Sequence, residues 1–102
     1  MTKKLGILLS TSPSNNNLET VIGLIHASMK GGVHIYLYLI DDGVECILDR
    51  RLEEFTANGM KLYVCAYGAQ KKGIEPSEAA TFGGLAILSE LISVCDRFIS
   101  FN

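Results

Sequence analysis

The chain has 102 residues, 48% of them apolar and 20% charged, with a formal net charge of −2. That length leaves room for one hydrophobic core, so residues 1–102 read as a single domain burying roughly two thirds of the surface its unfolded form exposes. The mild acidity, with a pI near 5.6, excludes the electrostatic footprint of a nucleic-acid or acidic-membrane binder, and no apolar run approaches the ~20 residues that a bilayer demands.

The elements follow in order. "MTKKLGILLS" has too short an apolar core for a signal peptide, and Ser12-Pro13-Ser14-Asn15 interrupts it early. Lys4 to Ser10 therefore reads as a first strand, and the protein as cytoplasmic. "TSPSNNN" supplies helix caps, and Leu18, Val21, Ile22, Ile25 and Met29 recur at helical spacing. Gly31-Gly32 stops that helix. Val33 to Ile40, "VHIYLYLI", is β-branched and aromatic enough for a central strand. Asp41-Asp42-Gly43 is a turn, after which Leu48, Leu52 and Phe55 mark one face of a helix ending at Asn58-Gly59.

Met60 to Val64 forms the third strand and runs into Cys65. A short helix through Lys72 stops at Gly73. Pro76 opens a further helical stretch interrupted at Gly83-Gly84, and a closing helix places Leu85, Leu88 and Ile92 on one side. "DRFISF" is the last strand. This alternation predicts a three-layer α/β/α sandwich with a mainly parallel sheet of four to five strands. Right-handed crossovers then put every strand's C-terminal end on one rim, where open α/β sheets bind ligands. Cys65 falls on that rim.

The three cysteines, Cys46, Cys65 and Cys95, form no CxxC pair and no zinc spacing. An odd number without a secretion signal argues for free thiols in a reducing compartment. For Cys65 two readings compete. A strand-end cysteine is most often a small hydrophobe. Alternatively, the amides of a helix beginning just after it hold the reactive thiolate. A helix N-terminus contributes about 0.3–1 kcal/mol, whereas bringing an ordinary thiol to half-ionisation near neutrality takes roughly 2 kcal/mol. Lys71 and Lys72 stand roughly 9–10 Å further along a helix, about one Debye length, and complement its C-terminus in the plainer reading. Asp41 and Asp42 on the same rim oppose ionisation. The residues alone leave the balance open.

Cys65 followed by small residues and then Lys71-Lys72-Gly73-Ile74, together with "IYLYLIDDGV" and "GGLAILSELISVCDRFISF", resembles the DsrE/DsrF-like sulfur-relay family. The likeness covers essentially the whole chain and is greatest to TusD- and DsrE-type subunits, although the stretch from Gly73 to Gly83 is shorter than theirs. The resemblance implies a fold flavodoxin-like in appearance. It also implies a sulfur carrier, possessing no cofactor, that accepts sulfane sulfur as a persulfide on Cys65. It would work with sulfur-donor and sulfur-acceptor proteins and assemble into a homo- or hetero-oligomer. The alternative is a non-catalytic subunit or small-ligand-binding module of the same fold with an inert Cys65.

Auxiliary candidates on the rim are Lys71, Lys72, Asp41, Gly83 and Gly84, the last two as exposed amides or as close helix–sheet packing. Cys46 is a candidate resolving thiol, with helix packing as its plainer role, and Cys95 reads as core. His26 and His34 lack neighbouring ligand-type residues, so no metal is expected. "STSPSNNN" bears a faint likeness to a flavin phosphate loop, but it has no glycine and Pro13 removes a donor, so helix capping explains it more simply.

Overall fold

In the computed structural model, which describes residues 2–102, five strands form one sheet in the order β4-β3-β2-β1-β5. Every neighbouring pair is parallel. The strands are β1 (Lys4–Leu9), β2 (His34–Leu39), β3 (Lys61–Cys65), β4 (Thr81–Gly83) and β5 (Arg97–Phe101). The helices are α1 (Asn17–Lys30), α2 (Arg50–Ala57), α3 (Ala66–Lys71) and α4 (Leu85–Val94), with a 3₁₀ segment at Asp41–Leu48. The expected α/β sandwich is the observed one.

The strand order divides the helices. Steps from β1 to β4 all run one way across the sheet, so right-handed crossovers leave α1, the 3₁₀ segment, α2 and α3 on one face. The return from β4 to β5 places α4 on the other. On the first face lie Ile7, Leu9, Leu37, Leu39 and Val64, all fully buried, against Leu18, Val21 and Ile25 of α1. The second face carries Tyr36, Tyr38, Tyr63 and Cys65. One helix covers it, and Tyr36 and Tyr63 are only half-buried.

The helix stops explain part of the cysteine-to-lysine signature. Gly73, at φ +72°, donates its N–H to the Gln70 carbonyl at 3.1 Å, while Ile74 N–H reaches Ala69 O at 2.8 Å. This pair of bonds is a Schellman motif, which needs a left-handed residue followed by an apolar one. Gly73-Ile74 therefore ends α3 for reasons of backbone geometry. At the other end of the chain's first helix, capping is shifted by one residue. Asn16 precedes α1 without a side-chain cap bond, and Asn15 Oδ1 instead accepts from Asn17 N at 2.8 Å.

Three expectations are corrected. The second helix is shorter than its apolar spacing suggests: residues 41–48 wind as 3₁₀ helix, Asp49 is extended, and Leu48 is 77% exposed. Asp49 Oδ1 accepts from Arg51 N at 2.8 Å and restarts the chain as an α-helix. The segment after Pro76 is not helical; residues 75–80 are irregular, and Thr81–Gly83 joins the sheet edge opposite Tyr63, Val64 and Cys65. Finally, α4 buries Leu91 and partly Ile87 and Leu88, leaving Leu85 and Ile92 exposed. A helix apolar almost all round has no stripe to announce which side faces the sheet. Close contact decides it, since a Cβ on Gly83 would collide with the Ile87 side chain.

Candidate functional site

β3 ends at Cys65 because the next residues turn into α3, whose N-cap is Cys65 itself in an extended conformation. Its Sγ accepts a hydrogen bond from Gly68 N at 3.5 Å. The side chain is 7% exposed. It lines a cleft of roughly 660 Å³ on the rim formed by the strands' C-terminal ends. Ile40, Asp41 and Asp42 bound the cleft on the β2 side. Tyr67, Gly68, Lys71 and Lys72 come from α3, and Gly84 and Leu85 close it from the entrance to α4.

The lysine pair divides its work. Lys72 Nζ lies 2.7 Å from Asp42 Oδ1 and 3.8 Å from Glu45 Oε1, so it ties α3 to the 3₁₀ segment. The ammonium holds the Asp42 carboxyl below its ordinary value, and Asp42 in turn raises the Lys72 pKa. Lys71 instead stands over the Tyr67 ring, 5.4 Å from its centroid, within cation–π range. Tyr67 and Leu85 are 69% and 65% exposed, so the cleft opens between an aromatic and an aliphatic lip.

Of the residues singled out from sequence, Cys65, Asp41, Lys71, Lys72 and Gly84 meet in this cleft. Gly83 sits one residue before its wall and pairs with Cys65 across the ladder. Cys46 lies elsewhere. It is fully buried, with Sγ 3.7 Å from the Thr11 carbonyl, the surroundings of a packing residue. Cys95 is half-buried at the end of α4, where burial raises its pKa. His26 and His34 are both exposed.

Burial pushes the Cys46 thiol up to about 11 from an ordinary 9.0, with Asp49 and Glu45 adding to it. A folded value above the unfolded one means this contribution to stability is intact below pH 9.0 and is lost as pH rises towards about 11. Denaturant unfolding across that interval is expected to show stability falling by about 1.4 kcal/mol per pH unit from this group. Cys46→Val should flatten that part of the slope.

Sequence reasoning missed Tyr38. It is fully buried in β2, and its hydroxyl donates to the Gly83 and Gly84 carbonyls, each at 3.3 Å. Burial first, and the nearby Cys65 sulfur second, push its pKa up to about 12. Within "IYLYLI" it reads as one more strand-forming aromatic. Only the alternation that puts residues 36, 38 and 40 on one face hinted at its side. Tyr67 and Leu85 were missed for a related reason: a rim lip is made by residues remote in sequence.

Among the described residues, no helix is long and apolar enough to cross a membrane. No curated protein sequence matches the chain. Among solved structures, the YchN protein from E. coli superposes with a TM-score of 0.83 at 19% identity, covering 99% of this chain and 100% of that one. A conserved protein of unknown function from Bacteroides thetaiotaomicron, BT1422, superposes with a TM-score of 0.78 at 19% identity, covering 97% and 95%. At such identities the likeness establishes the fold. The sequence profile of the DsrE/DsrF-like family matches residues 3–101, and with nearly the whole length matched the chain belongs to the DsrE/DsrF-like family.

Proposed function

We propose that this protein is a sulfur carrier that accepts sulfane sulfur as a persulfide on Cys65 and passes it to a partner protein, with residues 1–102 acting as one domain in the cytoplasm. The observation that carries the reading is positional: of three cysteines, Cys65 alone lines the rim cleft. Membership of a family associated with sulfur relay supports it.

The chemistry is an exchange. The Cys65 thiolate attacks the outer sulfur of a donor R–S–SH, a new S–S bond forms at Cys65, and the donor's S–S bond breaks to release R–S⁻. An acceptor thiolate then attacks the outer sulfur of the Cys65 persulfide, and Cys65 departs as thiolate. The proton on the terminal sulfur travels with it, and no net oxidation occurs. Lys71 over Tyr67 meets acidic groups on the incoming protein, while Lys72 with Asp42 holds the β2-side wall in place. Asp41 completes that wall. The Gly83-Gly84 edge forms the other side, with open space at Gly84, where an added Cβ would meet nothing within 4 Å. The test is intact-mass measurement after incubation with a persulfide donor.

The near-complete burial of Cys65 favours one rival: a small-ligand-binding subunit in which the thiol only packs. Alkylation at neutral pH separates the two. Faster labelling of Cys65 than of Cys46 and Cys95 supports the carrier, whereas equal labelling supports the rival.

A relay also needs protein contacts. With α4 alone on its face of the sheet, Ile92 and Val94 are about half exposed, and on the opposite face Ile99 of the β5 edge is 39% exposed. Apolar side chains so placed suit association with other chains. Light scattering should give a mass at least twice that of the 11.1 kDa chain, and Ile92→Lys should shift it towards one chain. A wild-type mass of one chain would remove the self-association.

A further inference from the structure

We propose that Tyr38 is a positioning residue for the sulfur on Cys65, anchoring the Gly83-Gly84 edge beneath it and turning its O–H towards that sulfur when it carries charge. This inference rests on Cys65 being the sulfur-bearing residue.

The geometry begins with the sheet. Tyr38 pairs with Tyr63 in the β2–β3 ladder, and Cys65, two residues further on, shares that face. Cys65 pairs in turn with Gly83 on β4. The Tyr38 side chain therefore crosses beneath the end of β3 to reach the Gly83 and Gly84 carbonyls. Its single hydrogen is shared between two acceptors at 3.3 Å each, both long for an O–H donor. The phenolic O–H can turn about its C–O bond over a modest two-fold barrier, and a bond to an anionic sulfur is charge-assisted and stronger than one to a neutral carbonyl.

Apart from the Gly68 N–H of α3, which donates a long bond to the sulfur, the other groups around it do not supply such a donor. Asp41 and Asp42 approach from the 3₁₀ segment as acceptors, and the Asp42 carboxylate occupies Lys72. Lys71 leans over Tyr67 at the mouth. Gly83, Gly84 and Leu85 carry no charge, and Glu90 on α4 is outside the lining of the cleft. From α3 the Gly68 N–H approaches at 3.5 Å. Burial first, and the Cys65 sulfur after it, raise the Tyr38 pKa, in keeping with the face the two side chains share.

The experiment is the alkylation rate of Cys65 against pH, resolved by peptide mass spectrometry, in the full chain. Tyr38→Phe keeps the ring and removes the hydroxyl. Its Cys65 labelling at neutral pH should fall about three- to tenfold, while the alkaline plateau, where the thiol is fully ionised, stays unchanged. Cys46 and Cys95 labelling should not change. A purely structural role would alter the plateau and the other cysteines as well. A second variant works in the opposite direction: 3-fluorotyrosine installed at position 38 preserves shape and is a stronger donor, so neutral-pH labelling should rise. Tyr38→Phe within twofold of wild type, or fluorotyrosine without effect, overturns the proposal; if Tyr38→Phe does not fold, the fluorotyrosine arm decides alone. Alkylation needs no persulfide, so a wild-type protein that takes up no sulfur would count against the carrier reading separately.

Discussion

Incubated with a persulfide donor, the wild-type protein should gain one sulfur atom and the Cys65→Ser variant none. The hydroxyl of serine is a far weaker nucleophile at neutral pH than a thiol, of which a few per cent is already ionised. The variant still carries Cys46 and Cys95, so any residual uptake would place the chemistry on one of them. Cys46 is fully buried against Thr11, and Cys95 lies outside the lining of the cleft. Neither Cys46→Val nor Cys95→Ser should reduce loading by more than about twofold, a change worth under 0.5 kcal/mol.

The same substitution carries a stability expectation with the opposite sign. Cys65 is the N-cap of α3, and its sulfur accepts a long 3.5 Å bond from Gly68 N. Serine is among the preferred N-cap residues, and its oxygen accepts a shorter and stronger bond. Cys65→Ser should therefore be as stable as wild type or up to about 1 kcal/mol more stable. A residue that caps less well than its near-isostere is what a functional demand on sulfur would leave behind. A variant that lost loading only by unfolding would show itself in the same melt.

Gly43→Ala should be the most destabilising single-methyl substitution on the rim, by about 3 kcal/mol or more. A Cβ at Gly43 would run into the Leu9 carbonyl. Leu9 is the last residue of β1, which is paired on both sides, and its oxygen already accepts from Ile40 N at 3.1 Å. Retreat of that carbonyl would break the bond that seats the end of β2, and with it the Asp41-Asp42 wall of the cleft. Gly23→Ala is the control. Position 23 is exposed in α1 with nothing within 4 Å of an added Cβ, so alanine should stabilise by up to about 1 kcal/mol. Chemical denaturation measures both. A Gly43→Ala protein as stable as wild type would contradict this close approach of backbone to backbone.

Where the sequence was legible, local rules were strong. The apolar spacing of Leu18, Val21 and Ile25 became the buried face of α1, and "HIYLYL" became β2. Where it misled, local pattern and tertiary context disagreed. Leu48 fits a helical face with Leu52 and Phe55 only if the helix is continuous. The 3₁₀ winding and the extended Asp49 break that phase and turn Leu48 outward. Thr81–Gly83 is too short to be recognised as a strand by alternation, and becomes one because β3 offers it an open edge.

From its residues alone this protein is an alternating α/β chain with a strand ending at Cys65, since periodicity and glycine stops are local properties. The cleft is not local. Ile40, Cys65 and Leu85 come together because parallel strands must return over the sheet, which brings the C-terminal ends of β2, β3 and β4 to one rim. Which of Cys46, Cys65 and Cys95 faces that opening, and which tyrosine lies beneath it, depends on register and strand order. Those emerge only when the whole sheet is assembled, because each is fixed by pairing between segments far apart in the chain.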